Sequence, residues 1–304
     1  MIAHTSTKII AIVLIIMLAC IAMATASCGG KTSDSDKLGV AVTLVPYADF
    51  VRQVGGDRVD VTVMVPPGAS PHSYEPTPAQ MVALSNAEAY VKAGSGVEFE
   101  LTWMNNLIAQ NPGMLIVDSS QGIALLEGGH EHEEEEHEAE EHGDFDPHVW
   151  TSPANVKIIV ENICDGFVAA DPDNAAYYQS NRDSYLDELD DLDEYIRGKF
   201  EGYKVRYFLI YHPSFGYFAA EYDLTQLSIE LEGKEPTPKV IQRCIDLAQQ
   251  YNLDYVFIDP ASVPQYAETI AGNIGGRTAT LNPLPENYID SMRTVADAIA
   301  LELE

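Results

Sequence analysis

The sequence predicts an α/β protein of two lobes, each built on a parallel sheet, joined by one long helix. Three observations carry this expectation. Short apolar runs alternate with helical spacing through the first 120 or so residues, the pattern of a parallel sheet with helical crossovers. The same alternation starts again after residue 204. Between the two, residues 174–200 keep one apolar stripe (Tyr177, Tyr178, Tyr185, Leu189, Leu192, Ile196) with no proline, and no glycine before Gly198. A helix of that length spans ~40 Å at about 1.5 Å per residue, enough to bridge two lobes.

The elements follow in order. Residues 40–45 form an apolar run and read as a buried strand; 47–54 read as a helix closed by Gly55-Gly56. Residues 59–65 alternate as a strand does and stop at Pro66-Pro67-Gly68. Helical spacing covers 78–85, a short strand 89–93 ends at Gly94, a helix covers 99–110 and a strand 115–118. Residues 128–143 hold no apolar side chain except Ala139. Such a stretch has nothing to bury and reads as a mobile loop. A helix over 153–169 precedes the long one. Beyond it, strands are expected at 205–211, 224–229, 255–258 and 278–281, and helices at 215–222, 238–251, 264–272 and 289–303. The expected divisions are a leader at 1–27, a tether at 28–38, an N-terminal lobe at 39–172, a connecting helix at 173–200 and a C-terminal lobe at 201–304.

The 304 residues carry a formal charge of −30, and ten acidic residues between Glu131 and Asp146 supply a third of it. Nucleic acid and anionic membrane surfaces need basic patches, so neither is expected as a binding partner. At the N-terminus, Lys8 precedes a nearly unbroken apolar run over 9–22, then small residues Ala24-Thr25-Ala26-Ser27 before Cys28. This has the form of a secretory signal. Cys28 after small residues resembles a lipoprotein processing site, although Thr25 stands where a leucine is usual. A lipidated Cys28 and a retained apolar anchor are the two readings, and both place the rest of the chain outside the cytoplasm. Cys164 and Cys244 lie on helical segments, where they either pair or remain buried thiols. No C-x-x-C occurs, which excludes a cysteine zinc knuckle.

The histidines point to chemistry. His130, His132, His137 and His142 sit in the glutamate-rich loop, and His72, His148 and His212 are isolated, each beside a proline. Imidazole is the commonest protein ligand for zinc-like metals, and proline stiffens the loop that presents it. Three such histidines with a histidine-acid tract make a divalent metal the leading expectation. The tract itself suits weak, labile metal binding. A zinc hydrolase also uses three histidines and an open position, but H-E-x-x-H and G-x-S-x-G are both absent.

Longer motifs narrow the choice. Val65-Pro66-Pro67-Gly68-Ala69-Ser70-Pro71-His72-Ser73-Tyr74-Glu75-Pro76-Thr77-Pro78 resembles the first ligand motif of the zinc and manganese solute-binding proteins of ABC importers. Asp146-Pro147-His148-Val149-Trp150 resembles the second, Tyr211-His212-Pro213-Ser214-Phe215-Gly216-Tyr217-Phe218 the third, and residues 230–238 the segment that follows. The likeness runs from about residue 39 to the C-terminus. It implies two Rossmann-like lobes on a rigid connecting helix, with a metal in the interlobe cleft on His72, His148 and His212. The histidine loop between the first two ligands, as in zinc-type members, implies zinc(II) as the transported ligand. Capture and delivery to an ABC permease and its ATPase are then the implied function. The chain is expected to be a monomer held to the membrane through its N-terminal lipid or anchor. Asn282, in Asn282-Pro283-Leu284, stands where many members place an aspartate ligand. The fourth position is therefore water, Asn282 or Glu230. A surface adhesin, a metal-storage lipoprotein or a manganese importer component are the alternatives of the same fold.

Overall fold

Two four-stranded sheets, both wholly parallel, organise the chain. The computed structural model describes residues 37–128, 145–230, 235–260 and 264–303. The expected leader, nearly all of the tether with Cys28, and His130, His132, His137 and His142 lie outside the described residues. Among the described residues no helix is long and apolar enough to cross a membrane.

The first sheet holds β1 (Leu38–Val42), β2 (Val59–Val63), β3 (Ala89–Lys92) and β4 (Leu115–Asp118) in the order β2-β1-β3-β4. The second holds β5 (Tyr207–Ile210), β6 (Thr225–Ser228), β7 (Tyr255–Ile258) and β8 (Arg277–Thr280) in the equivalent order β6-β5-β7-β8. The crossovers of the first sheet carry α1 (Val45–Gly55), α2 (Pro78–Ser85) and α3 (Glu98–Gln110). After β4 come α4 (Pro153–Ala170) and α5 (Ala175–Phe200). The second sheet is linked by α6 (Gly216–Glu221), α7 (Pro238–Tyr251) and α8 (Pro264–Ile274), and α9 (Tyr288–Leu303) closes the chain. In such order the strand direction of travel reverses beside the first strand of each sheet, and ligands collect at the carboxyl ends there.

Local chemistry sets the helix starts. Pro78, Pro153 and Pro238 each occupy the first turn, where a missing N–H costs nothing. Thr77, Ser152 and Thr237 cap those helices with their side-chain oxygens. At α2 the box is complete, because Gln80 Oε1 accepts from Thr77 N at 2.9 Å. Gln80 Nε2 then donates to the carbonyls of Val63 and Met64, both at 2.8 Å, docking α2 on the end of β2. One expectation shifts here. The apolar run over 40–45 is not all strand: β1 ends at Val42 and α1 begins at Val45. The first turn of α1 is as buried as the strand, so hydrophobicity alone does not separate them.

α5 buries Tyr178, Tyr185, Leu189, Leu192, Ile196 and Phe200 along one stripe and packs on α1, α4 and α9. Its core runs without interruption from the first sheet into the second lobe, where Phe208, Ile210, Phe257 and Leu281 belong to it. A smaller cluster, with Leu209, Val256 and Ile270, fills the space under α7 and α8. The described residues from Leu38 onward therefore form one compact unit. Cys164 sits in the first cluster and Cys244 in the second; both are buried, and among the described residues no disulfide joins them.

The last helix is tied to both lobes. Asp49 Oδ2 on α1 accepts from Tyr288 N at 2.8 Å. Glu302 accepts from Asp254 N at 2.8 Å and Tyr255 N at 2.6 Å at the start of β7. Glu302→Ala strands both amides, and a stranded polar group costs about 1–3 kcal/mol. Thermal unfolding should show a Tm lower by about 5 °C; an unchanged Tm would show that water replaces the carboxylate at no cost.

Candidate metal centre

Two strand ends and two turns build the site. His212 lies just beyond β5, and Asp259 directly beyond β7. His72 lies in the turn after β2, where Tyr74 N donates to Ser70 O at 3.1 Å and His72 N to Ser70 Oγ at 3.3 Å. His148 opens a short 3-10 turn, Val149–Thr151, with its carbonyl accepting from Thr151 N at 3.1 Å and Thr151 Oγ1 at 2.9 Å. All three line one cavity of about 340 Å³, together with Glu98, Trp150, Glu230, Glu235, Asp259 and Pro283 among others.

Each ring has a carboxylate at its Nδ1. Asp146 Oδ1 is 2.8 Å from His148 Nδ1, Glu98 Oε2 is 2.5 Å from His72 Nδ1, and Glu230 Oε2 is 3.4 Å from His212 Nδ1. A carboxylate oxygen accepts, so the facing Nδ1 carries the hydrogen and the Nε2 keeps a lone pair. The consequence is visible between His148 and His212, whose Nε2 atoms face each other at 3.3 Å. Two lone pairs at that distance repel unless a proton on one ring or a metal cation lies between them. Two nitrogens on a tetrahedral zinc, at roughly 2.0–2.1 Å each, stand about 3.3–3.4 Å apart.

His72 is the outer member. Its ring centroid is 5.9 Å from that of His212, against 5.1 Å between His148 and His212, and its side chain is 54% exposed. Among the described residues no three His, Cys, Asp or Glu side chains already stand at ligand spacing to one point. The inner pair thus stands at the spacing of two nitrogens on one tetrahedral ion, and the third ring lies farther out.

Electrostatics separate the two inner histidines. Burial pulls the His148 pKa below the ordinary histidine value, against the hydrogen bond and charge of Asp146. Burial acts in the same sense on His212, but Glu230, with Asp259 and Asp146 behind it, outweighs it and the His212 pKa is raised.

The residues named for the fourth position part company here. Glu230 is on the cavity wall, behind His212. Asn282 is exposed and off the wall, its Oδ1 accepting from Leu284 N at 3.0 Å, although Pro283 and Leu284 line the cavity. Trp150 is 2% exposed, stacks edge-on against His148 and donates from Nε1 to Pro283 O at 2.7 Å, so it joins the lobes at the cavity floor. Sequence reasoning missed Glu98 and Asp259. Nothing local marks Glu98, which is 26 positions from the ring it touches. Asp259 did carry a signal, because it directly follows a buried strand at its carboxyl end.

Known proteins are similar to this chain over most of its length. The family model for the zinc-uptake complex component A, periplasmic (ZnuA), matches residues 40–301. The high-affinity zinc uptake system protein ZnuA of Bacillus subtilis strain 168 is 32% identical over 285 residues, 89% of this chain and 89% of its own. The zinc-binding lipoprotein AdcA of Streptococcus pneumoniae R6 is 28% identical over 88% of this chain, which spans only 56% of that relative's length. A crystal structure of ZnuA superposes with a TM-score of 0.81 at 37% identity, covering 88% of this chain and 100% of its own. A zinc-bound deletion mutant of ZnuA does so at 0.81 and 36%, covering 88% and 99%.

Proposed function

Because the chain belongs to the family of periplasmic zinc-uptake components, we propose that zinc is taken up in its cleft on His72, His148 and His212. The chain is an extracytoplasmic zinc-binding component of an ABC importer, working with a permease and its ATPase, and it is not an enzyme. The observation that supports this ligand set is the pair of Nε2 atoms at 3.3 Å, each on a ring whose Nδ1 faces a carboxylate. Carboxylates in that place fix the tautomer and raise the basicity of the metal-facing nitrogen. His72 closes onto the ion from the exposed side, and water takes the fourth position. Glu230 orients His212, and Asn282 stays in its own turn. A set of imidazoles favours zinc over manganese, which prefers oxygen, and membership of the zinc-uptake family weighs against adhesion or storage as the main role. Cys28 is the proposed lipid attachment point that keeps a monomer at the membrane.

Zinc requires neutral imidazole, so protons compete with it. The raised pKa of His212 means that the free protein holds a proton there at pH values above about 6.5, the ordinary histidine value. Zinc must displace it, and affinity should start to fall above that pH as acid is added. The lowered pKa of His148 keeps that ring neutral further into acid. Competition titrations from pH 8 to 5 should show this early onset, and Glu230→Gln should move the onset to lower pH. A profile flat down to pH 6 would contradict the reading.

The histidines His130, His132, His137 and His142 make a second, weaker population of zinc sites in this proposal. Ala139 is the one apolar residue of this segment, and fixing ligands on a stretch with so little to bury costs conformational entropy, which lowers affinity. Equilibrium dialysis of a chain lacking residues 129–143 should keep one tight zinc and lose the weak, salt-sensitive remainder. Loss of the tight zinc would make that segment a primary ligand source.

A further inference from the structure

The metal-binding segment around His148 rests against the other lobe at two adjacent residues, Gly216 and Tyr217. α6 follows His212 by only a few residues, and its first position is Gly216. A Cβ placed on Gly216 would stand 2.4 Å from Asp146 Oδ2 and 3.7 Å from Asp146 Cγ. Apart from its chain neighbours and the backbone of its own helix, no other described atom lies within 4 Å of it. The backbone of Gly216 is not in the left-handed region, so conformational freedom is not what calls for glycine there. The clearance serves the Asp146 carboxylate. Its other oxygen, Oδ1, accepts from both His148 N at 2.9 Å and His148 Nδ1 at 2.8 Å. The neighbouring Tyr217 donates its hydroxyl to Asp146 O at 2.9 Å and accepts from Leu126 N at 2.9 Å. Asp146 N in turn donates to Leu126 O at 2.9 Å.

We propose that Gly216 and Tyr217 are positioning residues for zinc capture: together they seat Asp146, and through it the His148 ring, at the spacing from His212 that the ion needs. This rests on the reading of His148 and His212 as ligands. Tyr217 fixes the Asp146 backbone from one side, and Gly216 leaves room for the carboxylate to lie flat against α6. One short segment, residues 212–217, thus carries one ligand and the rest for the other. The spacing between two ligands from different lobes is set by a backbone contact rather than by the metal.

Gly216→Ala tests this with little cost to the fold. Alanine is favoured over glycine in a helix, and the clash falls on the far end of a rotatable side chain. Turning that carboxylate away takes Oδ1 off His148. Losing an outer partner of a ligand histidine typically weakens metal binding by about 10–100-fold. Zinc competition titrations on the full chain should therefore show a drop of at least about tenfold for Gly216→Ala with Tm kept, and a drop in the same direction for Tyr217→Phe. Cobalt(II) loaded into the same site should show a changed ligand-field spectrum in Gly216→Ala, which a merely structural role would not produce. In an Asp146→Ala background, where the clash has no partner, Gly216→Ala should cost nothing further. The role is overturned if Gly216→Ala binds zinc as the parent does with an unchanged cobalt spectrum, or if its cost persists undiminished without the Asp146 side chain. His212→Ala runs beside them: if that variant keeps tight zinc, the ligand assignment itself falls and this one with it, whereas His212→Ala failing while Gly216→Ala does not removes the positioning role alone.

Discussion

His212→Ala is expected to weaken zinc binding by about two orders of magnitude. Structural zinc sites with four ligands are worth roughly 10–16 kcal/mol, about 3 kcal/mol per ligand, and each 1.4 kcal/mol is tenfold. His212 is the ring whose loss should cost most. Its Nε2 faces that of His148 at 3.3 Å, and its ring centroid is 5.9 Å from that of His72. Removing it leaves only the exposed His72 and the buried His148 as protein ligands. Binding to the folded state alone raises Tm by mass action, so the zinc-induced rise in Tm seen with the parent chain should shrink sharply in the variant. Zinc competition titration and thermal unfolding with and without zinc check both. A variant that keeps parental affinity would remove His212 from the ligand set.

Trp150→Ala is the second large effect, and it falls on the fold first. Trp150 is 2% exposed and packs edge-on against Tyr47 and His148. Emptying such a site costs roughly 3–5 kcal/mol, a large share of the total of about 5–15 kcal/mol that holds a protein folded. Tm should fall by on the order of 10 °C. The indole also donates to Pro283 O at 2.7 Å across the lobes, so zinc affinity should fall as well. Trp150→Phe separates the two contributions. It keeps most of the volume and loses the N–H, with an expected cost of about 1 kcal/mol from the hydrogen bond. Equal destabilisation by both substitutions would show that packing at this wall matters little.

Much of this fold was legible because each element is locally consistent. Pro78, Pro153 and Pro238 mark helix starts where the structure has them, and the stripe over α5 reads as one buried face. Where a helix start is itself buried, as at Val45, the apolar pattern lost its meaning. The site divides the same way. The three histidines stood out by their proline neighbours, and Asp146, two positions from His148, lay within the same motif. Glu98 and Glu230 back their rings through tertiary contacts that no spacing announces. Asn282 was a reasonable candidate by position in the chain, but its side chain is turned back onto Leu284 N. In the sequence Gly216 is one more residue of a helix, and its contact with the Asp146 carboxylate is tertiary, across 70 positions.

The central claim is that one zinc ion is held by His72, His148 and His212. X-ray absorption spectroscopy of the chain lacking residues 129–143, loaded with one equivalent of zinc, tests it most directly. The predicted first shell is three imidazole nitrogens at roughly 2.0–2.1 Å with one further light atom, and no sulfur at about 2.3 Å. A shell dominated by carboxylate oxygens, or one that contains sulfur, would contradict it.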